Sequence, residues 1–378
     1  MPSVILGNCK EELKKFNDNF FDSIVTDPPY ELGFMGKKWD SSGISYDVEL
    51  WKECLRVLKP GGHLLSFSGT RTYHRMAIAI EDAGFEIRDC IDWVYGSGFP
   101  KGKNLGNGWN TSLKPAHEPI CMARKPIAEK TIAKNVETWG TGGINIEECR
   151  ISMASGDQKG EYGAHAPEYL NVEITRNVYG SGSKRTDRDQ TVGRFPTNLI
   201  WSHSPNCKQV VESWDCAPDC PSWEFAKAGD RKSGGAGTIR KNPRKNTVYG
   251  TISSMTMIPR EPSSGSSDRY FKSCQFTEED MPCFIYQAKA PKSERGEGNT
   301  HPTVKPIKLI QYLCRMVTPV GGIVLDPFGG SGTTALAAIR EGFDYVLIEL
   351  NPEYVEIVKT RVEVVQTDGI PDTNNYKY

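Results

Sequence analysis

Asp27-Pro28-Pro29-Tyr30 sets a carboxylate, two prolyl carbonyls and an aromatic ring in four consecutive positions. Each proline fixes its own φ and biases the residue before it toward extended backbone, so the acceptors keep a set distance from the ring. Acceptors beside an aromatic face suit a planar base bearing an exocyclic amine. Its N–H groups can donate to Asp27 and a prolyl carbonyl while the base stacks on Tyr30. The commoner use of such a tetrapeptide is a surface turn, so other parts of the chain must decide.

Near the other end, Asp326-Pro327-Phe328-Gly329-Gly330-Ser331-Gly332-Thr333 leads from an apolar strand into a helix. Glycines let backbone approach a ligand, and first-turn amides with the Thr333 hydroxyl can hold a carboxylate. A phosphate loop would close on Gly-Lys-Ser/Thr, and no lysine stands there. The strand after it ends in Glu349, 17 residues past Gly332, where nucleoside-binding α/β folds place a carboxylate on ribose hydroxyls. A third cluster, His203, Cys207, Cys216 and Cys220, has the spacing His-x3-Cys-x8-Cys-x3-Cys. Two close pairs of soft ligands across a short loop suit a tetrahedral structural zinc, with free surface thiols as the alternative.

The elements that must position these groups alternate. Strands are expected over 4–6, 21–27, 63–67, 85–94, 118–124 and 283–288, and helices over 11–16, 46–58, 73–83, 307–316 and 353–364. Lys59-Pro60-Gly61-Gly62 is expected to end one helix and Gly84 another. Such alternation with short loops predicts a parallel sheet covered on both faces. Residues 31–43 read either as a lid or as a loop pinned by Trp39, and 93–101 as a nucleotide contact or simple packing. From about 131 to 280 the alternation stops. Residues 224–272 carry ten Lys or Arg against four Asp or Glu, a local basic footprint for nucleic acid or else a solvated loop.

The whole chain, by contrast, has 46 Lys plus Arg against 47 Asp plus Glu over 378 residues. That balance excludes a globally basic nucleic-acid binder. No stretch approaches the roughly 18 apolar residues of a membrane span. Together with 11 mostly scattered cysteines, this predicts a soluble cytoplasmic protein with reduced thiols.

Three stretches, Asp27-Pro28-Pro29-Tyr30, His301-Pro302-Thr303-Val304-Lys305-Pro306 and residues 326–333, together resemble the circularly permuted β-group of S-adenosylmethionine-dependent DNA amino methyltransferases. The resemblance covers roughly 1–125 and 283–365; the middle is similar to inserts in phage-type methylases much more loosely. It implies an α/β fold, a Rossmann-like methyltransferase mixed sheet with helices on both faces. Residues 1–130 and 282–365 would form its two halves, 131–281 an irregular target-recognition insert, and 366–378 a disordered tail.

By the same resemblance Asp27, Pro28, Pro29 and Tyr30 are catalytic, and Asp326, Phe328, Gly329, Gly330 and Gly332 shape the cofactor pocket. Thr333 and the Lys305 region would hold the methionine end and Glu349 the ribose. Asn8 replaces an acid that in the family touches the cofactor's adenine. Asp rather than Ser at 27 implies methyl transfer to adenine N6 of a base flipped from double-stranded DNA. Cytosine-N4 transfer and a non-catalytic DNA-binding module are the alternatives. A restriction endonuclease partner, and monomer or homodimer, are left open.

Overall fold

In chain order the computed structural model runs β1 (Ser3–Leu6), α1 (Cys9–Leu13), β2 (Phe21–Thr26), α2 (Val48–Val57), β3 (Leu58–Phe67), α3 (Tyr73–Asp82) and β4 (Glu86–Val94). There follow β5 (Asn104–Gly106), β6 (Trp109–Asn110), β7 (His117–Arg124), α4 (Ile132–Trp139), β8 (Leu199–His203), β9 (Lys208–Val210), β10 (Ser213–Asp215) and β11 (Lys272–Gln275). The chain closes with α5 (Ile307–Val317), β12 (Ile323–Asp326), α6 (Thr333–Glu341), β13 (Asp344–Glu349) and α7 (Pro352–Thr367). The described residues are 2–33, 38–95, 102–151, 195–203, 208–210, 213–215, 272–275 and 304–367. The strand expected over 283–288 and the tail beyond 367 lie outside them.

Every residue of β2 is buried, which requires cover on both faces. Its neighbours Ile24 and Val25 point to opposite sides, Ile24 into a core with α1, α2 and α3, Val25 into one with α5, α6 and α7. The sheet has nine strands in the order β1-β13-β12-β2-β3-β7-β4-β8-β11. All its described pairings are parallel except those of β7, which runs antiparallel to both β3 and β4. The sheet is therefore mixed, as the resemblance implied and strand–helix alternation alone did not. The carboxyl ends of the parallel strands share one edge, where α/β folds place their ligands.

The helices begin and end for local reasons. Asp47 caps α2 by accepting from the Glu49 amide, and Leu50, Trp51, Cys54 and Val57 form its buried stripe. Expected Lys59-Pro60-Gly61-Gly62 punctuation does end α2, but the same residues already belong to β3. Gly84, at φ +106°, follows α3. Residues past 131 also pack into the body. Asn135 on α4 is fully buried, the Asn145 amide donates to Met316 O at 2.9 Å, and Cys149 and Ile151 are in the core. Farther along the chain, β8 and β11 extend the sheet beyond β4. Among the described residues, no helix is long and apolar enough to cross a membrane.

Candidate active site

β2 delivers Asp27 to the carboxyl edge, and Pro28 and Pro29 stop the strand there. Lys305, ahead of α5, reaches it from the far end of the chain, its Nζ 2.6 Å from Asp27 Oδ2 and 3.4 Å from Glu118 Oε2. Glu118 also accepts from the Tyr30 hydroxyl at 2.8 Å and the Tyr95 hydroxyl at 3.3 Å. The Lys305 ammonium lies 5.2 Å from the Tyr30 ring centroid and 5.0 Å from that of Phe67, within cation–π range. Among the described residues, Asp27 Oδ1, though buried, meets no hydrogen-bond donor.

Burial pulls the Lys305 pKa down, but Asp27 and Glu118 more than offset this and hold it above its ordinary value. A lysine beside a helix N-terminus is otherwise mildly disfavoured; here two carboxylates account for it. Burial, with Asp27 and Glu118 adding to it, pushes the Tyr30 hydroxyl well above its usual range. That hydroxyl therefore stays protonated and donates.

The Pro29 carbonyl, one of two expected amine acceptors, already accepts a short hydrogen bond from Ser45 Oγ, and Ser45 O in turn accepts from Trp51 Nε1 at 3.0 Å. This ties the proline corner to α2.

The glycine loop sits at the same edge. Asp326 is buried and fully bonded: Oδ1 accepts from Thr26 Oγ1 (2.7 Å) and the Phe328 amide (3.0 Å), Oδ2 from Thr334 Oγ1 (2.6 Å). Burial, eased by the two threonine hydroxyls, pushes its carboxyl up to about 6. Asp326 thus ties the glycine loop to the residue preceding Asp27.

Two of the glycines answer to the protein's own packing. A Cβ at Gly329 would meet Leu347 Cβ at 3.1 Å, and one at Gly332, where φ is +86°, would meet Val358 Cγ1 at 2.7 Å. Glu349 accepts from the Gly330 amide (2.8 Å) and the Asn351 amide (2.8 Å); burial raises its pKa. Phe328 is half-buried and Thr333 buried at the start of α6. Asn8 is exposed and caps α1 by accepting from the Lys10 amide at 3.0 Å, while Gly7 N donates to Glu349 O at 2.9 Å. Asn8 therefore adjoins the end of β13, with its oxygen engaged in the cap.

Glu118, Ser45 and Thr26 were not singled out from sequence. Glu118 precedes a run of buried residues, Pro119 to Arg124. In an all-parallel sheet its side chain would fall at the opposite edge; only the reversal of β7 brings its first residues to the active end. An acid opening an otherwise apolar strand was the available signal.

Of the proposed metal set, Cys207, Cys216 and Cys220 lie outside the described residues, and His203 is described only by its strand backbone. His301 to Thr303 and the basic stretch 224–271 lie outside them too, as do 34–37 and 96–101 of the two punctuated loops.

Compared with known proteins, residues 21–360 match the sequence profile of the N6/N4 family described as DNA methylase. Type II methyltransferase M.HpaI of Haemophilus parainfluenzae is 33% identical over 128 residues, 32% of this chain and 38% of that protein. DNA adenine methyltransferase YhdJ of Escherichia coli K12 is 41% identical over 68 residues, 18% of this chain and 23% of that one. The matched stretches thus span less than two-fifths of either relative. The PvuII DNA methyltransferase (cytosine-N4-specific) superposes with a TM-score of 0.46 at 15% identity, covering 95% of this chain and 86% of that chain. An M1.HpyAVI–SAM complex gives 0.39 at 16%, covering 96% and 100%.

Proposed function

We propose, for a chain that belongs to the N6/N4 DNA methylase family, that it transfers a methyl group from S-adenosylmethionine to the N6 amine of an adenine flipped out of duplex DNA. The observation that carries this reading is Asp27: Oδ2 is held by Lys305 while Oδ1 is buried and unpartnered. A buried carboxylate oxygen without a donor costs free energy unless a ligand supplies one. An exocyclic amine is such a donor.

The cofactor supplies, when bound, a methyl group on a sulfonium. The loop from Phe328 to Thr333, with Glu349 behind it, is the assigned seat; Glu349 keeps lone pairs beyond the two amides it accepts, and the first-turn amides of α6 suit a carboxylate. Asp27 Oδ1 accepts one N–H of the amine and the Pro28 carbonyl the other, since the Pro29 carbonyl already has Ser45. Acceptors that pull the two N–H bonds out of the ring plane pyramidalise the nitrogen and turn its lone pair out of conjugation toward the methyl group. Lys305 covers one face of Tyr30, so the base stacks on the other. Nitrogen gains the methyl carbon, the sulfur keeps the electron pair of the broken bond, and the surplus amine proton passes to Asp27. Corner first and glycine loop last is the permuted order of the β-group. A structural zinc on His203, Cys207, Cys216 and Cys220 rests on their spacing alone; metal analysis of the purified protein checks it.

The test is to incubate the protein with methyl-labelled S-adenosylmethionine and unmodified DNA, digest to nucleosides and identify the labelled one. Label in N6-methyladenine is expected. Label in N4-methylcytosine would replace adenine by cytosine, and a chain that binds DNA but labels nothing would be the binding module.

A further inference from the structure

We infer that the β5–β6 hairpin is an arm that lies on duplex DNA beside the reacting base; the inference rests on the DNA-methylating reading above. The arm rises from the acceptor corner itself. Its base is the hydrogen bond from Tyr95 N to Ala116 O at 2.9 Å, and Tyr95 and Glu118 both belong to the Lys305 cluster.

From Lys103 to Lys114 every residue is exposed. Three of them are large and apolar: Leu105 at 60%, Trp109 at 73% and Leu113 at 91% exposure. The arm is nevertheless well built. Gly106, Asn107 and Gly108 turn the chain at φ +83°, +52° and +82°, conformations that glycine and asparagine tolerate. Lys103 N donates to Thr111 Oγ1 at 2.7 Å, Thr111 N to Lys103 O at 3.1 Å, and Gly106 N to Asn104 Oδ1 at 2.9 Å. A two-stranded hairpin standing alone is marginal in water, so an ordered one with an outward tryptophan has a surface to meet.

Charge identifies that surface. Residues 102–116 contain Lys103 and Lys114 and no Asp or Glu. Cations interleaved with an aromatic suit phosphates and base faces. Reach agrees with this. Gly108 lies eight positions before Ala116, up to roughly 25 Å when extended, more than the width of a groove. A base seated at Tyr30 leaves its own duplex just outside the carboxyl edge, in the path of the arm.

The experiment compares the full chain with Trp109→Ala and with the Lys103→Ala/Lys114→Ala double variant. Binding of a fluorescently labelled mixed-sequence duplex is followed by anisotropy across a salt series, with S-adenosylmethionine binding and thermal unfolding as fold controls. Trp109→Ala is expected to weaken duplex binding about tenfold. The double variant is expected to lower the slope of log affinity against log salt by about 2. Both keep cofactor affinity and melting temperature. If the parent chain methylates DNA while both variants bind duplex as it does, the arm is not a DNA contact and this inference alone fails. If instead the parent self-associates in sedimentation and Trp109→Ala abolishes that without changing DNA binding, the arm contacts a second copy and the inference is overturned. A parent that neither binds nor methylates DNA overturns the functional reading as well.

Discussion

Asn135 and Asp27 stand at opposite ends of one sheet, and their oxygens are treated differently. Asn135 meets the start of β3: its Nδ2 donates to Pro60 O and Thr141 O, both at 2.8 Å, and its Oδ1 accepts from the Ala128 amide at 3.0 Å. At the same end Lys59 pairs with Asp22, whose other oxygen accepts from the Ile323 amide at 2.8 Å, and Lys125 Nζ donates to Asn19 Oδ1, Arg56 O and Leu58 O. The Asn135, Lys59 and Lys125 groups serve each other, although His63 Nδ1 on β3 is also buried without a partner among the described residues. At the carboxyl end Lys305, Glu118, Tyr30 and Tyr95 close around Asp27 and leave one oxygen over. The difference separates what holds the sheet together from what the sheet presents to a substrate.

The largest expected effect tests the presented oxygen. Asp27→Ala should lower kcat for methyl transfer about 100- to 1,000-fold, the range for losing one group that acts at the transition state, measured well below a melting temperature that drops because Lys305 loses its nearer partner. A drop below tenfold in single-turnover assays would remove Asp27 from the chemistry.

The opposite end is tested by Asn135→Leu. It leaves the Ala128 amide and the Thr141 carbonyl without their partner and should cost roughly 3 kcal/mol in urea unfolding, while kcat measured well below the transition stays at the parent value. Lost activity in the folded variant would show that the two ends are not separable.

A third prediction sets one titrating group from each end against the other. Burial pushes the Asp326 carboxyl up to about 6, so the stability it contributes is full below its ordinary 3.8 and is lost as pH rises through 6. Burial, with the Arg124 and Arg88 charges, pulls His63 from 6.5 down to about 4, so its contribution is full above 6.5 and is lost as pH falls through 4. Across pH 4 to 6 the two oppose each other. Asp326→Asn should therefore leave stability rising with pH over that window, and His63→Gln should leave it falling, each by roughly 3 kcal/mol. Urea titrations at four pH values check both signs.

The smallest effect is at the rim of the Lys305 cluster. Glu118→Gln keeps an acceptor for Tyr30 but removes the second charge from Lys305, and should cost about tenfold in kcat with the cofactor KM unchanged. A change confined to KM would place Glu118 in binding instead.

Much of this was legible beforehand because each half of the fold is locally consistent. Ile24 and Val25, then two prolines, can only be a buried strand that stops; Asp326 to Thr333 can only be a strand turning through glycines into a helix. What sequence did not show depends on partners far away in the chain. Lys305 was expected at the cofactor's methionine end, and its place beside Asp27 follows from sheet order. Glu118 was hidden by the direction of β7. Past residue 131, Asn135, Thr141 and Cys149 are buried by polarity and small size, which hydrophobic periodicity does not register. Asp326 illustrates the reverse: its motif was plain, but its bonds to Thr26 and Thr334 give it a strut's role.

The Thr26–Asp326 bond joins positions 300 residues apart. A ribosome adding 5–20 residues per second takes about 15–60 s to cover that distance, and for that time β2 has no β12 beside it. The nascent amino-terminal half must wait with one side of a central strand unpaired, a slow, long-range closure that invites chaperones. Chains stalled before residue 323 should accordingly be protease-sensitive at β2, and release past β13 should protect them together. The acceptor corner and the glycine loop therefore come together only once β12 and β13 have left the ribosome.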